Sequence, residues 1–592
     1  MGYLFLPGAK ASDDSPDASS IIAKSIRVGL AALALAIAAT LAANSPVTAG
    51  EATATLEGNH PDEAAEIAES AAAPNRPLAM RLTMAIRNRA ELDRMLADQQ
   101  DPASPEYHHW LTPDEFTNRF GPTDADIAKV TRWLTRKGFP IQSADAHTRV
   151  VNFTGTVASA ETAFGVKIAA TSDASMFANI TDPVVPADVA PLVESIRGLD
   201  NLLHSAPAIH RTPMPAPDAS APDARINGKT AFGPNDLHTF YDQPADFDGT
   251  GTDCIAIIED SDFNRSGADA FNTDFGLPPF TGANFEVVLP NGTNPGINSD
   301  GDETMVDVNY SHAMAPGAPI RVYIGDPAHS NSPLPDAIAR AVTDNACAAI
   351  TVSFSFCGAS KNFFKAEDSR FAQAASQGQA VFVATGDIGA AALIVDRKHQ
   401  RCAPGTKRGV NELAASPHAS AIGGTEFTPN LDSNGDDVGS VSESTWNDGA
   451  GATGGGKSKI FKKPAFQSGL FKKDKKRDLP DVSFGASPNS PGFFFGDPAT
   501  ESVLIGGTSI GAPAWAGISE LLSQRNGTRI GNLNIRLYQL GVMGGTNGIR
   551  DVTSGDNGFH GVPGFSALTG FDKATGWGTV DIGVFVPAFV GK

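Results

Sequence analysis

Beyond about residue 250 the chain alternates short apolar runs with longer segments of helical spacing. The runs CIAIIED (254–260), PIRVYIG (319–325), AAITVSFS (348–355), AVFVATGD (380–387) and ASAIGGT (419–425) are rich in β-branched residues and apolar on both faces. That pattern belongs to parallel strands covered on each side. Between them, segments such as PLPDAIARAVTDNA (333–346) have the length and spacing of helices. The alternation predicts an α/β domain over residues 229–592, built on a doubly wound parallel sheet whose reactive groups lie at strand C-terminal ends.

Residues 76–204 predict a separate α+β module. Thr123 and Asp126 make a capping-box-like start, and Ile127, Val130, Trp133 and Leu134 then follow at helical spacing up to Gly138. TRVVNFTG (148–155) predicts a strand and ASAETAF (158–164) a second helix start. Residues 50–75 are Ala/Glu-rich and predict a polar, solvated leader. Residues 205–228, dominated by Pro, Ala and Ser, hold nothing that could bury a core and predict an exposed, cleavable linker. Near the N-terminus, Lys24 and Arg27 precede the apolar run 28–43, and Val47-Thr48-Ala49 follow as small residues for cleavage. The run is short for a membrane span and fits a signal peptide, so residues 1–49 are expected to be a leader of an exported chain, an uncleaved anchor being the alternative.

Composition narrows the partners. Sixty-six acidic residues against 45 basic ones give a formal charge of −21, which argues against nucleic acid. The four cysteines have no CxxC spacing, which argues against zinc, and they suit an oxidising compartment. Cys254 and Cys347 lie in apolar strand contexts and read as buried thiols, whereas Cys357 and Cys402 lie in loops and are the better candidates for a bridge. The basic stretch 457–477 reads as a solvated surface loop rather than an anion-docking site.

The candidate chemistry begins with GGTSIGAPAWAG (506–517), which predicts Ser509 at a helix start in a glycine-lined turn, with Pro513 in the first helical turn. A serine nucleophile needs a base. No His-Gly-Thr motif occurs, and His312 lacks the small residues that would seat it beside a serine, so a Ser-His-Asp triad fails even though Glu259 and Asp260 follow the first strand. Glu303 and Asp307 are four apart and share a helix face. Two such carboxyls make sense where they share a proton, and one of them can then act as a general base. Asp387 follows a buried strand between Gly386 and Gly389, where such sheets keep reactive groups.

Taken together, GGTSIGAP, Glu303-x-x-x-Asp307 and ATGDIGAA resemble the sedolisins, the serine-carboxyl peptidases. RPLAMRLTMAIRN, DPASPEYHHWLTPDEFTNRFGPT and GTVASAETAFG resemble the activation domain of kumamolisin-type members, and the likeness runs over about residues 75–592. The resemblance implies a subtilisin-like catalytic domain preceded by an activation (pro) domain. It implies Ser509 as nucleophile, Glu303 as base and acid, Asp307 as its partner, and a protonated Asp387 beside the Ser509 amide at the oxyanion hole. It also implies one structural Ca2+ in the loop 551–578, held by Asp551 and Asp572 and by carbonyls of Val552, Leu568 and Gly570. A second stretch, with Asp432, Asn434, Asp436 and Glu443, has EF-hand-like offsets but carries Asp437 where that loop needs glycine. Gly454-Gly455-Gly456 offer either a flexible loop or an edge for a substrate strand.

The expected protein is a secreted, acid-active endopeptidase made as a self-activating zymogen. Its partners would be protein or peptide substrates and its own propeptide as intramolecular inhibitor. It would be monomeric, with no nucleic acid and no stable membrane association. A tripeptidyl-peptidase of the same family is the alternative, and a catalytically silent, calcium-stabilised binding protein is the other class.

Overall fold

The five apolar runs form the centre of one mixed sheet. The computed structural model describes residues 52–592 apart from 214–224, 227–228, 429, 431–437, 440–441, 491, 497–502 and 592. The signal-peptide run, most of the second half of the linker and the second calcium stretch lie outside these residues, save Glu443. Residues 53–592 make up a single compact unit.

In the N-terminal module, strands β1 (Pro77–Met84), β2 (Ile141–Asp145), β3 (Val150–Thr156) and β4 (Val193–Arg197) form an antiparallel sheet in the order β2-β3-β1-β4. Helices α1 (Arg89–Asp98), α2 (Pro113–Phe120), α3 (Asp124–Arg136) and α4 (Val157–Phe164) accompany it. Thr123 caps α3 in a full capping box with Asp126. Val130, Trp133 and Leu134 on α3 and Phe164 on α4 pack over Leu82, Val151 and Phe153 of the sheet. The segment expected to be a solvated leader is part of this module: Thr53–Thr55 pairs with Val184–Pro186, and Leu56, Ala64, Ile67 and Ala72 are buried. Small apolar residues spaced along an Ala/Glu-rich stretch suffice to dock it.

Strands β5 (His204–Pro207) and β6 (His210–Pro213) follow. They correct the expectation of an exposed linker, because both pair with strands of the larger domain and Ala208 between them is buried.

The larger domain contains β7 (Cys254–Glu259), β8 (Phe285–Val288), α5 (Gly301–Met314), β9 (Ile320–Ile324), α6 (Pro333–Asp344), β10 (Cys347–Val352), β11 (Phe354–Cys357), α7 (Lys361–Ser376), β12 (Ala380–Ala384), β13 (Ser420–Thr428), β14 (Ser442–Thr445), β15 (Val482–Gly485), β16 (Val503–Gly506), α8 (Thr508–Asn526) and α9 (Ile582–Val590). The sheet order is β8-β9-β7-β10-β12-β13-β14, with β15 also on β13. All these pairings are parallel except β13–β14. One cluster, including α5, α8 and α9, packs on one face, and a second, including α6 and α7, packs on the other.

Cys254 and Cys347 are not free thiols. They begin neighbouring parallel strands in register and form a disulfide, and Cys357–Cys402 forms another. The basic stretch is also less solvated than expected: Arg477 is fully buried on Asp481, and Lys463 pairs with Asp478.

The N-terminal module grips α6 and α7 through ion pairs and a hydrogen bond. Arg81 pairs with Asp336, Arg89 lies 3.6 Å from Asp368, and Ser369 donates to Glu194 at 2.5 Å. Burial raises the Asp336 carboxyl, but the Arg81 charge and hydrogen bonds from Arg81, Ser330 and Asn291 outweigh it and leave the pKa lowered. Asp368 is likewise lowered, with His418 and Arg89 outweighing burial. A carboxyl lowered on folding stabilises above its ordinary range of about 4 and loses that contribution as pH falls through the lowered value. Asp336→Asn should therefore be less stable than the parent by about 2 kcal/mol in urea unfolding near neutrality. The difference should shrink as pH falls below about 4; a gap that stays constant with pH would refute the pairing.

Candidate active site

Ser509 is the second residue of α8 and is fully buried. The preceding Gly507 has φ of +127°, so the chain turns from β16 into the helix at a position suited to glycine. Pro513 lies inside α8 rather than in its first turn, where its missing N–H leaves the carbonyl of Ser509 without the usual i→i−4 donor.

Glu303 and Asp307 both lie on α5 with no exposed surface. The two helices approach closely at small residues: a Cβ added to Gly517 of α8 would lie 2.7 Å from that of Met314 on α5. This contact brings Ser509 beside Glu303. The Ser509 hydroxyl is near enough to favour the charged form of Glu303, although neither carboxyl oxygen has a well-formed hydrogen bond among the described residues. Burial, then the neighbouring Asp307, push the Glu303 pKa well up. Asp307 is also pushed well up by burial, opposed by the Ser353 hydroxyl, which donates to it at 2.7 Å.

Glu259 at the end of β7 is a third member that sequence reasoning passed over. It is fully buried, accepts from Thr304 at 3.1 Å, and is pushed well up by burial and by the charges of Asp307 and Glu303. Its neighbour Asp260 is raised to about 7, mainly by burial. The signal was its position at a strand end, read only as a possible aspartate of a histidine triad.

Asp387 follows β12 and faces the start of α8. One carboxyl oxygen accepts from the Thr508 amide at 2.9 Å and its hydroxyl at 2.8 Å. The Thr508 hydroxyl in turn accepts from the Gly386 amide at 3.0 Å. Burial raises the Asp387 pKa against the lowering effects of His210 and Thr508. Thr508 lies within GGTSIGAP and Ser353 within the run 348–355, but neither was given a role from the sequence.

His312 is on α5 but stands apart from this chemistry. Its Nε2 donates to the Pro278 carbonyl at 2.8 Å, and burial lowers its pKa to about 4.

The linker crosses the cleft as an extended strand. β5 pairs antiparallel with β11, from His204 opposite Cys357 to Pro207 opposite Phe354. β6 pairs antiparallel with β16, from His210 opposite Gly506 to Pro213 opposite Val503. Between them, the Ala208 amide donates to the Ser353 carbonyl at 3.0 Å and the Ala208 carbonyl accepts from the Ser509 amide at 3.1 Å. His210 lies with Nε2 3.5 Å from Asp387 and its ring edge-on to Trp446, and Arg211 reaches Asp302 at 2.8 Å. Gly454–Gly456 offer no edge to this strand. A Cβ at Gly454 would lie 2.1 Å from the Thr385 carbonyl oxygen, and one at Gly455 2.2 Å from that of Lys573, so these glycines serve close packing.

The solved structure of Pseudomonas sedolisin (serine-carboxyl proteinase) complexed with two molecules of pseudo-iodotyrostatin is 30% identical, covers 61% of this chain and 99% of its own, and superposes with a TM-score of 0.53. This chain belongs to the sedolisin family of serine-carboxyl peptidases. Sedolisin from Pseudomonas sp. (strain 101) is 28% identical over 85% of each chain. Kumamolisin from Bacillus sp. (strain MN-32) is 28% identical over 81% of this chain and 86% of that protein. A family model described as "Pro-kumamolisin, activation domain" matches residues 66–202, which identifies the N-terminal module as a pro-domain. The chain is thus a sedolisin-family peptidase carrying its pro-domain, with the subtilisin-like sheet expected of the family.

Of the residues expected around calcium, Asp551 is joined to Gly570 and Asp572 to Leu568. The Gly570 amide donates to Asp551 and the Leu568 amide to Asp572, each at 2.7 Å, and Gly570 has φ of +77°. Desolvation raises both carboxyls, opposed only by hydrogen bonds. No cluster of three or more His, Cys, Asp or Glu side chains suited to a metal occurs among the described residues. An ion in this loop would draw on two carboxylates and on carbonyls, a hard-oxygen set that fits Ca2+.

Gly507 tests the site's crowding. An added Cβ would lie 2.1 Å from the Ala208 carbonyl oxygen and 2.6 Å from Asp387 Oδ2. Gly507→Ala should expel the linker from the cleft and expose residues 204–213 to an added protease; a linker still protected in this variant would contradict the threaded arrangement.

Proposed function

We propose that this chain is the precursor of a secreted, acid-active endopeptidase that uses Ser509, Glu303, Asp307 and Asp387. Glu303, as a carboxylate, takes the Ser509 proton as Oγ attacks the substrate carbonyl. It then returns that proton to the leaving amine. Asp307 shares the buried negative charge with Glu303 and is held by Ser353. Asp387, kept neutral by burial, donates to the developing oxyanion beside the Ser509 amide. The observation that carries this reading is the peptide strand in the cleft, with one carbonyl on the Ser509 amide beside Asp387.

The linker strand continues along β11 for four residues before Ala208, which supports a cleft open on that side. An open cleft favours an endopeptidase over a tripeptidyl-peptidase, which must stop its substrate after three residues. Export is supported by the two disulfides, which suit an oxidising compartment. No helix among the described residues is long and apolar enough to cross a membrane. The pro-domain strand filling the cleft supports its role as intramolecular inhibitor. Asp551 and Asp572, with the carbonyls of Val552, Leu568 and Gly570, would hold one Ca2+, which when bound would lock the 551–572 loop against the domain.

Peptides blocked at the N-terminus and quenched internally test both the catalytic set and the endopeptidase reading. The activated enzyme should cleave them, and enzyme carrying Ser509→Ala or Glu303→Gln should be inactive. Asp387→Asn should lower kcat roughly 100–1,000-fold. Activity should hold in acid and fall toward neutrality, because the raised carboxyls Asp387 and the Glu303–Asp307 pair lose their protons as pH rises. An alkaline optimum would overturn the mechanism. For calcium, a chelator should lower the Tm of the parent, and restored Ca2+ should recover it. Asp572→Asn should abolish that response; a Tm indifferent to chelator would remove calcium from the picture.

A further inference from the structure

The precursor's own strand reports where the active site would cut. Two backbone hydrogen bonds and a change of strand partner fix its register over Ser509. The Ala208 amide donates to Ser353, the Ala208 carbonyl accepts from Ser509, and the pairing partner changes from β11 to β16 on either side of residues 208–209. The Ala208 carbonyl oxygen and Asp387 Oδ2 also converge on one point, since both crowd the same added Cβ at Gly507. In an extended strand neighbouring carbonyls point to alternate sides, so those of Pro207 and Ile209 face away from the Ser509 amide. Ala208 itself is only 2% exposed, so the bond is shielded from outside proteases.

Taking the chain as the serine-carboxyl peptidase proposed above, we infer that the Ala208–Ile209 bond is the one the precursor cuts first, in its own cleft. In this step Ser509 Oγ bonds to the Ala208 carbonyl carbon while its proton passes to Glu303. The carbon–nitrogen bond to Ile209 then breaks, and the Ile209 nitrogen takes the proton from Glu303 to leave as an amine. Water, deprotonated by Glu303, hydrolyses the Ala208 ester and regenerates Ser509. The products are a propeptide ending in the Ala208 carboxyl and a chain beginning at Ile209. Because strand and nucleophile belong to one molecule, the reaction is first order.

Arg211 and His210 help keep the bond in register from the other side. The Arg211 guanidinium holds Asp302, the residue before Glu303, and His210 lies between Asp387 and Trp446. The first cut leaves these contacts on the new N-terminal segment, so that segment remains docked until it dissociates.

The experiment uses purified full-length precursor, brought to acid pH and sampled from the earliest times. The first new N-terminus should be Ile209, and the released propeptide should have the mass of a chain ending at Ala208. The rate constant should not change on tenfold dilution. Ile209→Pro keeps Ala208 extended but makes the bond a tertiary amide; it should slow the first cut more than 100-fold while leaving the Tm of the precursor close to that of the parent. A first cut at any other bond, a rate that scales with concentration, or normal maturation of a folded Ile209→Pro precursor would overturn the assignment. Ser509→Ala separates the two levels. If that precursor stays intact while the parent opens elsewhere, only the bond is wrong; if it matures normally, the peptidase reading fails with it.

Discussion

The structure depends on how three stacked carboxyls tolerate burial. Glu259, Glu303 and Asp307 have no exposed surface, and no cation is among the groups that chiefly shift their carboxyls. An unpaired buried carboxylate costs several kcal/mol, and neighbouring ones cannot all ionise. Protons must therefore take the place that a guanidinium or ammonium occupies elsewhere in the chain. That single constraint explains why Ser353 and Thr304 direct hydroxyls at the cluster. It also makes Glu303 a stronger base than an ordinary carboxylate, which is the property the proposed mechanism asks of it. The packing of α5 on α8 matters for the same reason: Glu303, Asp307 and Ser509 are left without exposed surface, and a carboxylate out of water is a stronger base than a solvated one.

What could be read from the sequence follows from how local each signal is. The parallel strands were legible because being apolar on both faces is a local property, and β7, β9, β10, β12 and β13 all fall on the predicted runs. Helix α3 was legible down to its capping box. The Glu303–Asp307 pair was legible because helical spacing alone puts both on one face, as it does in α5. Glu259 was not, since a carboxyl at a strand end is usually a turn residue and only the packing of α5 turns it into a partner. The Cys254–Cys347 bridge depends on the register of two strands 93 residues apart, which no local pattern encodes. The threading of 204–213 was hidden for a related reason. Its residues build no core of their own, and their order is borrowed from the free edges of β11 and β16.

Two sets of buried carboxyls in the precursor are shifted in opposite directions. Asp336 and Asp368 at the pro-domain contact are lowered on folding, so their contribution is present near neutrality and lost as pH falls through the lowered values. Glu259, Glu303 and Asp307 are raised, so their contribution is full below the ordinary carboxyl range and lost as pH rises through the raised values. Falling pH therefore removes the contribution of Asp336 and Asp368 at this contact, where Glu194 is instead raised by burial, and favours the protonated forms of Glu259, Glu303 and Asp307. The geometry of the cleft adds a further element: the strand that fills it sets the Ala208 carbonyl on the Ser509 amide, so that on the proposed mechanism one bond separates the precursor from its cut form.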